Sequence, residues 1–407
     1  MTEEDRNLPL AGLRVIDASS IFAGPLIATL LGDFGADVIK VEHPTGDSLR
    51  KTGLKKDGVP LWWKVVSRNK RCITLNIKQG RGQDLFKRLV ADADVLIENF
   101  RTGTLEKWGI GWDVLSALNP RLVMVRVTGF GQTGPYRHRA GFGTLAEAMS
   151  GFAHITGEPD GPPTLPPFGL ADGIAANYGA FATMFALYER DAPRNGVPGS
   201  GKGQYIDLSL YEPLFSVLGA QPTMFDQLGV IQQRTGNRSV NNVPRNAYQT
   251  KEGRWVALST SAESIVFRVL RLCGGEEAAN DPRWQTAEGR LACADEIDAL
   301  VGGWIARHSL DEVLDAFEKA EAAIGPVYDV EQLMNDRHVR ERGSVTEVAD
   351  PDLGTVRMQS VFPLLSRTPG RIKHAGPRLG QHNEEILCGE LGLSAEELRS
   401  LKAEGVV

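Results

Sequence analysis

Short apolar runs alternate with helical patterns along the first third of the chain. Residues 13–17 and 38–41 are β-rich and apolar, and residues 26–34 between them carry apolar side chains at helical spacing after the break at Gly24-Pro25. This pattern predicts a strand, a helix and a second strand. Further strands are predicted at residues 73–76, 95–98 and 122–128, with a helix at 82–91. The alternation indicates a doubly wound α/β domain with a parallel sheet.

The carboxyl ends of parallel strands are where such sheets bind ligands, because the following helices present free amide groups there. Residues 19–24 and 42–47 follow the first two predicted strands. They are therefore the first candidate binding segments.

The second half of the chain predicts one long helix and then a smaller unit. Residues 173–190 are apolar on nearly all sides, which is typical of a helix buried in a core or an interface. A glycine-rich connector at 191–203 leads to a strand-like run at 204–210 and an apolar helical stretch to about residue 230. Two strands within 246–259 and helices at 264–272, 296–306 and 310–320 predict a small α+β domain. Residues 325–380 read as irregular, and a helix from about Ser394 closes the chain.

Composition excludes several classes of protein. The chain has 407 residues, 42% of them hydrophobic, and a formal net charge of −6 without a long basic run, so nucleic acid is not an expected partner. No apolar run is long enough to span a bilayer, and the acidic start MTEEDRN is not a secretion signal, so a cytoplasmic protein without a membrane partner is expected. The four cysteines are far apart and suggest neither a disulfide framework nor a metal site.

Two glycine motifs argue against a nucleotide enzyme. Residues 196–202 have the GxxxxGK spacing of a phosphate-binding loop, but Gly203 occupies the magnesium-ligand position and the segment follows a helix. The first predicted turn also lacks GxGxxG. A mobile connector and a nicotinamide-free pocket are the favoured interpretations.

Asp172 precedes the long apolar helix and has two interpretations. It is either an N-cap that accepts amide hydrogen bonds, or a nucleophile oriented by the helix N-terminus. Local sequence leaves both open. Basic residues near the ends of the predicted strands make a polyphosphate pocket plausible and include Lys70, Arg71, Lys78, Arg101, Lys107, Arg137 and Arg139.

Many ordered sequence blocks resemble the class III coenzyme A transferases of the CaiB/BaiF type. The first blocks are residues 10–17 (LAGLRVID), 23–25 (AGP), 31–42 (LGDFGADVIKVE) and 46–50 (GDSLR). Later blocks are 69–71 (NKR), 98–101 (ENFR), 128–135 (TGFGQTGP), 157–163 (GEPDGPP), 235–237 (TGN), 325–327 (GPV) and 375–382 (AGPRLGQH). The resemblance implies an interlocked homodimer whose protomers have a large Rossmann-like domain and a small α+β domain joined by two linkers. We assign residues 1–203 to the large domain, 204–230 and 325–345 to linkers, 231–324 to the small domain, and 346–407 to a segment that returns to the large domain.

The resemblance also implies the chemistry. The family's catalytic aspartate falls on Asp172, which would move CoA from an acyl-CoA thioester to a free carboxylic acid through a mixed anhydride and an aspartyl-CoA thioester. No metal and no resident cofactor are implied, since coenzyme A is part of substrate and product. The implied CoA contacts are Ile21, Phe22, Ala23, His43, Leu75, Ile77, Lys78, Asn99, Arg101, Thr104 and Lys107. His43 and Lys107 stand where the formyl-CoA enzyme carries arginines, and lysine lacks the guanidinium fork.

Alternatives remain within this resemblance. An α-methylacyl-CoA racemase uses a histidine where this chain has Phe142, which cannot remove a proton. A non-catalytic CoA-binding protein would keep the pocket without turnover. Residues 258–263 lack the glycine-rich loop of the formyl-CoA enzyme. One hypothesis places a second carboxylate, as in a dicarboxylate such as succinate, against Arg234, Arg238, Asn241, Asn242 and Arg245. Surface salt bridges explain the three arginines equally well.

Overall fold

The computed structural model describes residues 7–193 and 196–407. The acidic N-terminal segment and part of the predicted connector 191–203 lie outside the described residues. The strands are β1 (Arg14–Asp17), β2 (Asp37–Glu42), β3 (Lys55–Lys56), β4 (Val59–Pro60), β5 (Lys70–Thr74), β6 (Val95–Glu98), β7 (Val123–Thr128), β8 (Tyr205–Ser209), β9 (Arg245–Gln249), β10 (Trp255–Ser259), β11 (Ile324–Pro326), β12 (Val345–Asp350) and β13 (Gly354–Gln359).

The first helix follows β1 after a short loop. The helices are α1 (Ala23–Asp33), α2 (Leu61–Val66), α3 (Gly80–Ala91), α4 (Thr104–Lys107), α5 (Trp112–Leu118), α6 (Gly143–Met149), α7 (Phe152–Ile155), α8 (Leu170–Asp191), α9 (Tyr211–Ser216), α10 (Gln221–Leu228), α11 (Glu263–Ala279), α12 (Ala287–Ala292), α13 (Ala294–Ile305), α14 (Leu310–Lys319), α15 (Val330–Asn335), α16 (Arg337–Glu341) and α17 (Ala395–Ala403). Within the described residues, no helix combines the length and apolar character needed to cross a bilayer.

Six strands form a parallel sheet in the order β5-β2-β1-β6-β7-β8. The chain moves outward from β1 through β2 to β5, and then returns to the other side of β1 to place β6. This is the strand order of doubly wound dinucleotide-binding sheets, in which a crevice opens where the order reverses. The mixed α/β class and the parallel sheet are therefore confirmed, and β1 and β6 define the crevice.

Alternate side chains of these strands pack into two separate hydrophobic cores, one on each face of the sheet. Val15 and Val38 are paired in register and join the core that α1 and α8 cover. Ile16 and Ile39 are the next pair and face the opposite core, which contains residues of α3 and α17. Both faces of the sheet are therefore buried, which explains why the strands read as continuous apolar runs.

The chain divides into two compact units whose boundaries differ from the predicted ones. Among the described residues, the large unit comprises 7–152, 165–193, 196–219 and 340–407, and the small unit comprises 153–164 and 220–339. The predicted linker 204–230 is wrong over β8, because this strand pairs with β7 and completes the sheet. The predicted linker 325–345 begins inside β11, which pairs with β10 in the small unit.

The glycine-rich stretch before β8 serves close packing of backbones. A Cβ at Gly203 would lie 1.9 Å from the carbonyl oxygen of Leu122, and one at Gly199 would lie 2.4 Å from that of Arg190. The stretch also precedes a strand, whereas a phosphate-binding loop joins a strand to a helix. Gly199 and Gly203 are therefore explained by backbone contact.

The C-terminal residues complete the large unit. Ile386 and Leu401 lie in the core below the sheet, and the amide of Asn76 donates to the carbonyl of Val406 at 2.7 Å. The β12–β13 hairpin falls in a region predicted to be irregular. Only three of its strand residues are buried, so the sequence shows no continuous apolar run there.

The small unit is an α+β structure. Its antiparallel sheet has the order β11-β10-β9, and α11, α13 and α14 pack on it. Val256, Val269 and Phe317 are fully buried in its core.

Candidate active site

A buried cluster of charges lies where the first strands end. Asp17 ends β1, and its carboxylate lies 2.9 Å from Lys70 Nζ and 3.6 Å from Lys40 Nζ. Lys40 Nζ also lies 3.2 Å from Asp47. Burial alone would raise the pKa of Asp17, but attraction from the two ammonium groups holds that pKa below its usual value. Lys70 and Arg71, which the sequence offers for a polyphosphate pocket, are paired within the protein instead. Lys70 pairs with Asp17, and Arg71 pairs with Asp37 at the start of β2.

The loop after β1 is held from two directions. Asp47 accepts a hydrogen bond from the amide of Ile21 at 3.2 Å, and Asn99 exchanges two hydrogen bonds of 2.8 and 2.7 Å with the backbone of Ser20. Ile21 has φ +70°, which is the left-handed region that a β-branched residue rarely adopts. These contacts hold the loop in a conformation that its own sequence disfavours.

Asp172 is the third residue of α8, and Gly169 is the N-cap. The N-cap interpretation of Asp172 is therefore wrong. Its carboxylate accepts a hydrogen bond from the amide of Ala23, the first residue of α1. The carboxylate thus lies near the N-termini of two helices, both of which favour negative charge.

Two opposing influences set the acidity of Asp172. Burial, followed by electrostatic repulsion from Glu147, raises the pKa of Asp172 to about 6, although the Ala23 amide acts in the opposite direction. Glu147 is buried and accepts a hydrogen bond from the amide of Ala171 at 3.3 Å. The Asp172 carboxylate is therefore mostly ionised at neutral pH but more basic than an ordinary aspartate.

Asp172 lines a cleft of about 270 Å³ at the strand-order reversal. Five of the residues implied to contact CoA line the same cleft: Ile21, Phe22, Ala23, Asn99 and Arg101. A second cleft of about 240 Å³ lies at the ends of β2 and β5 and contains four more: His43, Leu75, Ile77 and Lys78. Ser20 and Phe100 line both clefts, so the two are adjacent.

Thr104 and Lys107 line neither cleft. They lie on the short helix α4, which is followed by Trp108, a residue of the second cleft. The ammonium of Lys78 lies 5.9 Å from the centre of the Trp108 ring. The structure therefore brings nine of the eleven implied contacts to the clefts and leaves these two at the edge.

Sequence reasoning missed Glu147 and Gly143 as parts of this site. A Cβ at Gly143 would lie 2.1 Å from Oδ2 of Asp172, so only glycine leaves room for the carboxylate. Gly143 belonged to the segment compared with the racemase, which was a signal, whereas Glu147 had none. Asp47 belonged to a resembling block, but its contact with Ile21 appears only in the tertiary structure.

Of the arginines proposed for a second carboxylate, Arg238 is already paired with carboxylates in the small unit. Arg238 pairs with Asp295 and Asp298 at 2.7 Å each. Arg234 and Arg245 donate to backbone carbonyl oxygens. Asn241 and Asn242 line a different small-unit cavity beside Arg290. These residues do not form one carboxylate-binding cluster.

The fold and site together define a doubly wound α/β protein with a carboxylate in its ligand crevice. The chain belongs to CoA-transferase family III, whose sequence model matches residues 10–383. It is 42% identical over 401 residues to a succinyl-CoA–D-citramalate CoA-transferase of Chloroflexus aurantiacus, with 98% of each chain covered. It is also 42% identical over 405 residues to the beta subunit of a succinyl-CoA–L-malate CoA-transferase of the same organism, again with 98% of each covered.

A solved structure agrees with this family. The crystal structure of a CAIB/BAIF family protein from Brucella suis superposes with a TM-score of 0.82 at 32% identity, covering 94% of this chain and 99% of that one. The protein is an enzyme of the CoA-transferase type.

The contact between Gly143 and Asp172 yields the first test. Gly143→Ala should displace the carboxylate and lower kcat for CoA transfer by about 10²-fold, since misplacements of about 1 Å have effects of that size. Gly173→Ala is the matched control, because a Cβ at Gly173 meets nothing within 4 Å. Steady-state kinetics of both variants would measure this. Wild-type kcat in Gly143→Ala would contradict the contact.

Proposed function

We propose that Asp172 is the nucleophile of the CoA transfer. The observation that carries this proposal is its carboxylate, which lies in the crevice between β1 and β6, accepts the Ala23 amide and has its pKa raised to about 6. A partly desolvated carboxylate that is still ionised at neutral pH combines availability with basicity. The clefts that surround it contain most of the residues that the family resemblance assigns to CoA.

The reaction then proceeds by four substitutions at carbonyl carbons. The Asp172 carboxylate attacks the acyl-CoA carbonyl, forming a mixed anhydride and releasing CoA thiolate. The thiolate attacks the Asp172 carbonyl, forming the aspartyl-CoA thioester and releasing the donor acid. The acceptor carboxylate attacks that thioester, forming a second anhydride and the thiolate. The thiolate finally attacks the acceptor carbonyl, and Asp172 returns as a carboxylate.

Each of these steps exchanges one activated acyl group, a thioester or an anhydride, for another. The reaction therefore needs no energy source and no acyl carrier other than the CoA of the substrate. Water would hydrolyse the two kinds of intermediate. The buried position of Glu147 and the backbone contact at Gly143 leave little space on that side of Asp172.

The second cleft is proposed to bind the CoA handle. Lys78 and His43 provide donors at the ends of β5 and β2, and the Trp108 ring offers an apolar surface. Because Ser20 and Phe100 line both clefts, a CoA bound in the second cleft can extend its thioester into the first. Lys78 would meet a phosphate as a point charge.

The substrate class follows from the relatives. Both curated relatives are named for succinyl-CoA as donor and for a dicarboxylic hydroxy acid as acceptor. We propose succinyl-CoA as donor and a short dicarboxylic acid as acceptor for this enzyme. The racemase alternative has less support, since Phe142 lines the Asp172 cleft and its ring cannot accept a proton.

The covalent intermediate provides the decisive test. Wild-type enzyme incubated with succinyl-CoA should accumulate CoA on residue 172, and borohydride should reduce that thioester to an alcohol that peptide mass spectrometry locates. Asp172→Asn should give no adduct and should lose CoA exchange. Acceptor acid labelled with ¹⁸O should pass label through Asp172 into the released donor acid. An adduct elsewhere, or full activity in Asp172→Asn, would refute the assignment.

The raised pKa of Asp172 predicts a pH dependence. Only the ionised carboxylate attacks, so kcat/KM should be level above about pH 7 and should fall as the pH decreases through about 6. Glu147→Gln removes a neighbouring negative charge while keeping an oxygen for the Ala171 amide, so the midpoint should move to lower pH. A midpoint that stays unchanged or rises in Glu147→Gln would contradict the electrostatic account. Stopped assays across pH 4–8, with buffers of constant ionic strength, would measure it.

We also propose that the protein is a homodimer, interlocked as the family resemblance implies. Support comes from α8, where Phe181 and Phe185 are 41% and 66% exposed, with ring centroids 5.2 Å apart. An exposed apolar patch of this kind marks an interaction surface. Phe185→Glu should reduce the mass measured by light scattering, whereas Leu54→Glu, at an 80% exposed position, should not. Monomeric wild-type protein at micromolar concentration would exclude the dimer.

A further inference from the structure

We propose that Arg137 and Arg139 bind the distal carboxylate of the dicarboxylic acyl group and so determine substrate specificity. This inference rests on the proposed function and adds the residues that would select a dicarboxylate. Both arginines line the cleft that contains Asp172. Neither was assigned a role by the family resemblance.

The segment that carries the two arginines, residues 129–142, is held at the site at both ends. Near its start, a Cβ at Gly129 would lie 2.5 Å from Cα of Gly141, so the segment closes back on the end of β7. Its last residue precedes Gly143, whose backbone contacts the Asp172 carboxylate. Arg139 is four positions before Gly143, and four residues span at most about 14 Å. An arginine side chain can therefore reach back toward an acyl group held at Asp172.

The two guanidinium groups are positioned but not neutralised. Among the described residues, no carboxylate forms an ion pair with either group. The guanidinium carbon of Arg139 lies 3.7 Å from the centre of the Tyr136 ring, and Nη1 of Arg137 donates to the carbonyl of Gly134 at 3.3 Å. Stacking fixes the plane of a guanidinium and leaves its edge N–H groups available for a carboxylate.

Other cations near the cleft are less suited to this task. Arg126 lies 2.8 Å from Glu98 and 2.9 Å from Glu106, so its charge is already paired. Arg101 lines the same cleft, but it follows Phe100, which also lines the proposed CoA cleft, and it is among the residues implied to contact CoA. The segment 137–139 thus supplies unpaired positive charge to the cleft that contains Asp172 and, unlike Arg101, has no proposed contact with CoA.

A dicarboxylate presents two carboxyl groups, and only one of them reacts. The distal group stays charged and has to lose water when the acyl chain enters the cleft. Two guanidinium groups can replace that water with charge-assisted hydrogen bonds. A monocarboxylic acid of the same length gains nothing from them. The arginines would therefore raise kcat/KM for dicarboxylates selectively.

The test compares acids that differ only in the distal carboxylate. Arg137→Gln, Arg139→Gln and the double variant would be assayed with succinate and with butyrate as acceptors, and with succinyl-CoA and butyryl-CoA as donors. The expected result is a loss of about 10- to 100-fold in kcat/KM for the dicarboxylic substrates, with less than a twofold change for butyrate and butyryl-CoA. Arg81→Gln is the control, because Arg81 is an exposed arginine that pairs with Glu404 away from the cleft.

The outcomes separate selectivity from folding and from the mechanism. Unchanged dicarboxylate kinetics, or equal losses for succinate and butyrate, would overturn the inference. Arg139→Lys should keep part of the preference, since it retains charge without the fork. Trapping of an Asp172 adduct from butyryl-CoA in the double variant shows that its active site is assembled. Failure of the nucleophile assignment would be seen separately, as a missing adduct in the wild-type enzyme.

Discussion

The buried charge cluster of Asp17, Lys40, Lys70 and Asp47 is the constraint on which the active site depends. Paired charges can remain buried only when their geometry is fixed, because an unpaired partner would have a large desolvation cost. Lys40 connects Asp17 at the end of β1 with Asp47 after β2. Asp47 in turn holds the amide of Ile21. The ends of neighbouring strands and the loop between β1 and α1 therefore form one rigid assembly.

That assembly determines where the amide of Ala23 points. Ala23 begins α1 immediately after the strained loop, and its amide donates to Asp172 on a helix far along the chain. The strain at Ile21 is thus maintained by contacts outside the loop, as expected where a backbone conformation serves a site. A generic strand-to-helix turn would offer amide groups to a phosphate, whereas this one offers an amide to a side chain of the protein itself.

The charges of the site are arranged by role. Burial and repulsion from Glu147 raise the pKa of Asp172, so this carboxylate is more basic than an ordinary aspartate. Four cationic side chains line the two clefts: Lys78 lines the second cleft, and Arg101, Arg137 and Arg139 line the cleft that contains Asp172. A substrate with a phosphate-bearing handle and an acidic acyl end would meet positive charge at both ends and an anionic nucleophile between them.

The local pattern of the sequence was enough to predict the parallel sheet and most of its strands. β1, β2, β6 and β7 are buried on both faces, so each appears as an apolar run that needs no partner to be recognised. Residues 204–210 were recognised as strand-like, but β8 was assigned to a linker because its place in the sheet depends on pairing with β7, and pairing is not local. The β12–β13 hairpin was missed for the same reason.

The sequence by itself determined the fold class, the family resemblance and the candidate nucleophile. Only the tertiary structure decided what each charged residue does. By sequence Lys70 could be a cation that binds a ligand, but in the structure it forms a buried ion pair with Asp17. Arg238 forms an ion pair with Asp298 in the same way, whereas Arg139 stacks on the Tyr136 ring and has no carboxylate partner among the described residues. The physical reason is that the interaction of a charge depends on which groups surround it in space, and these groups come from positions far apart in the chain.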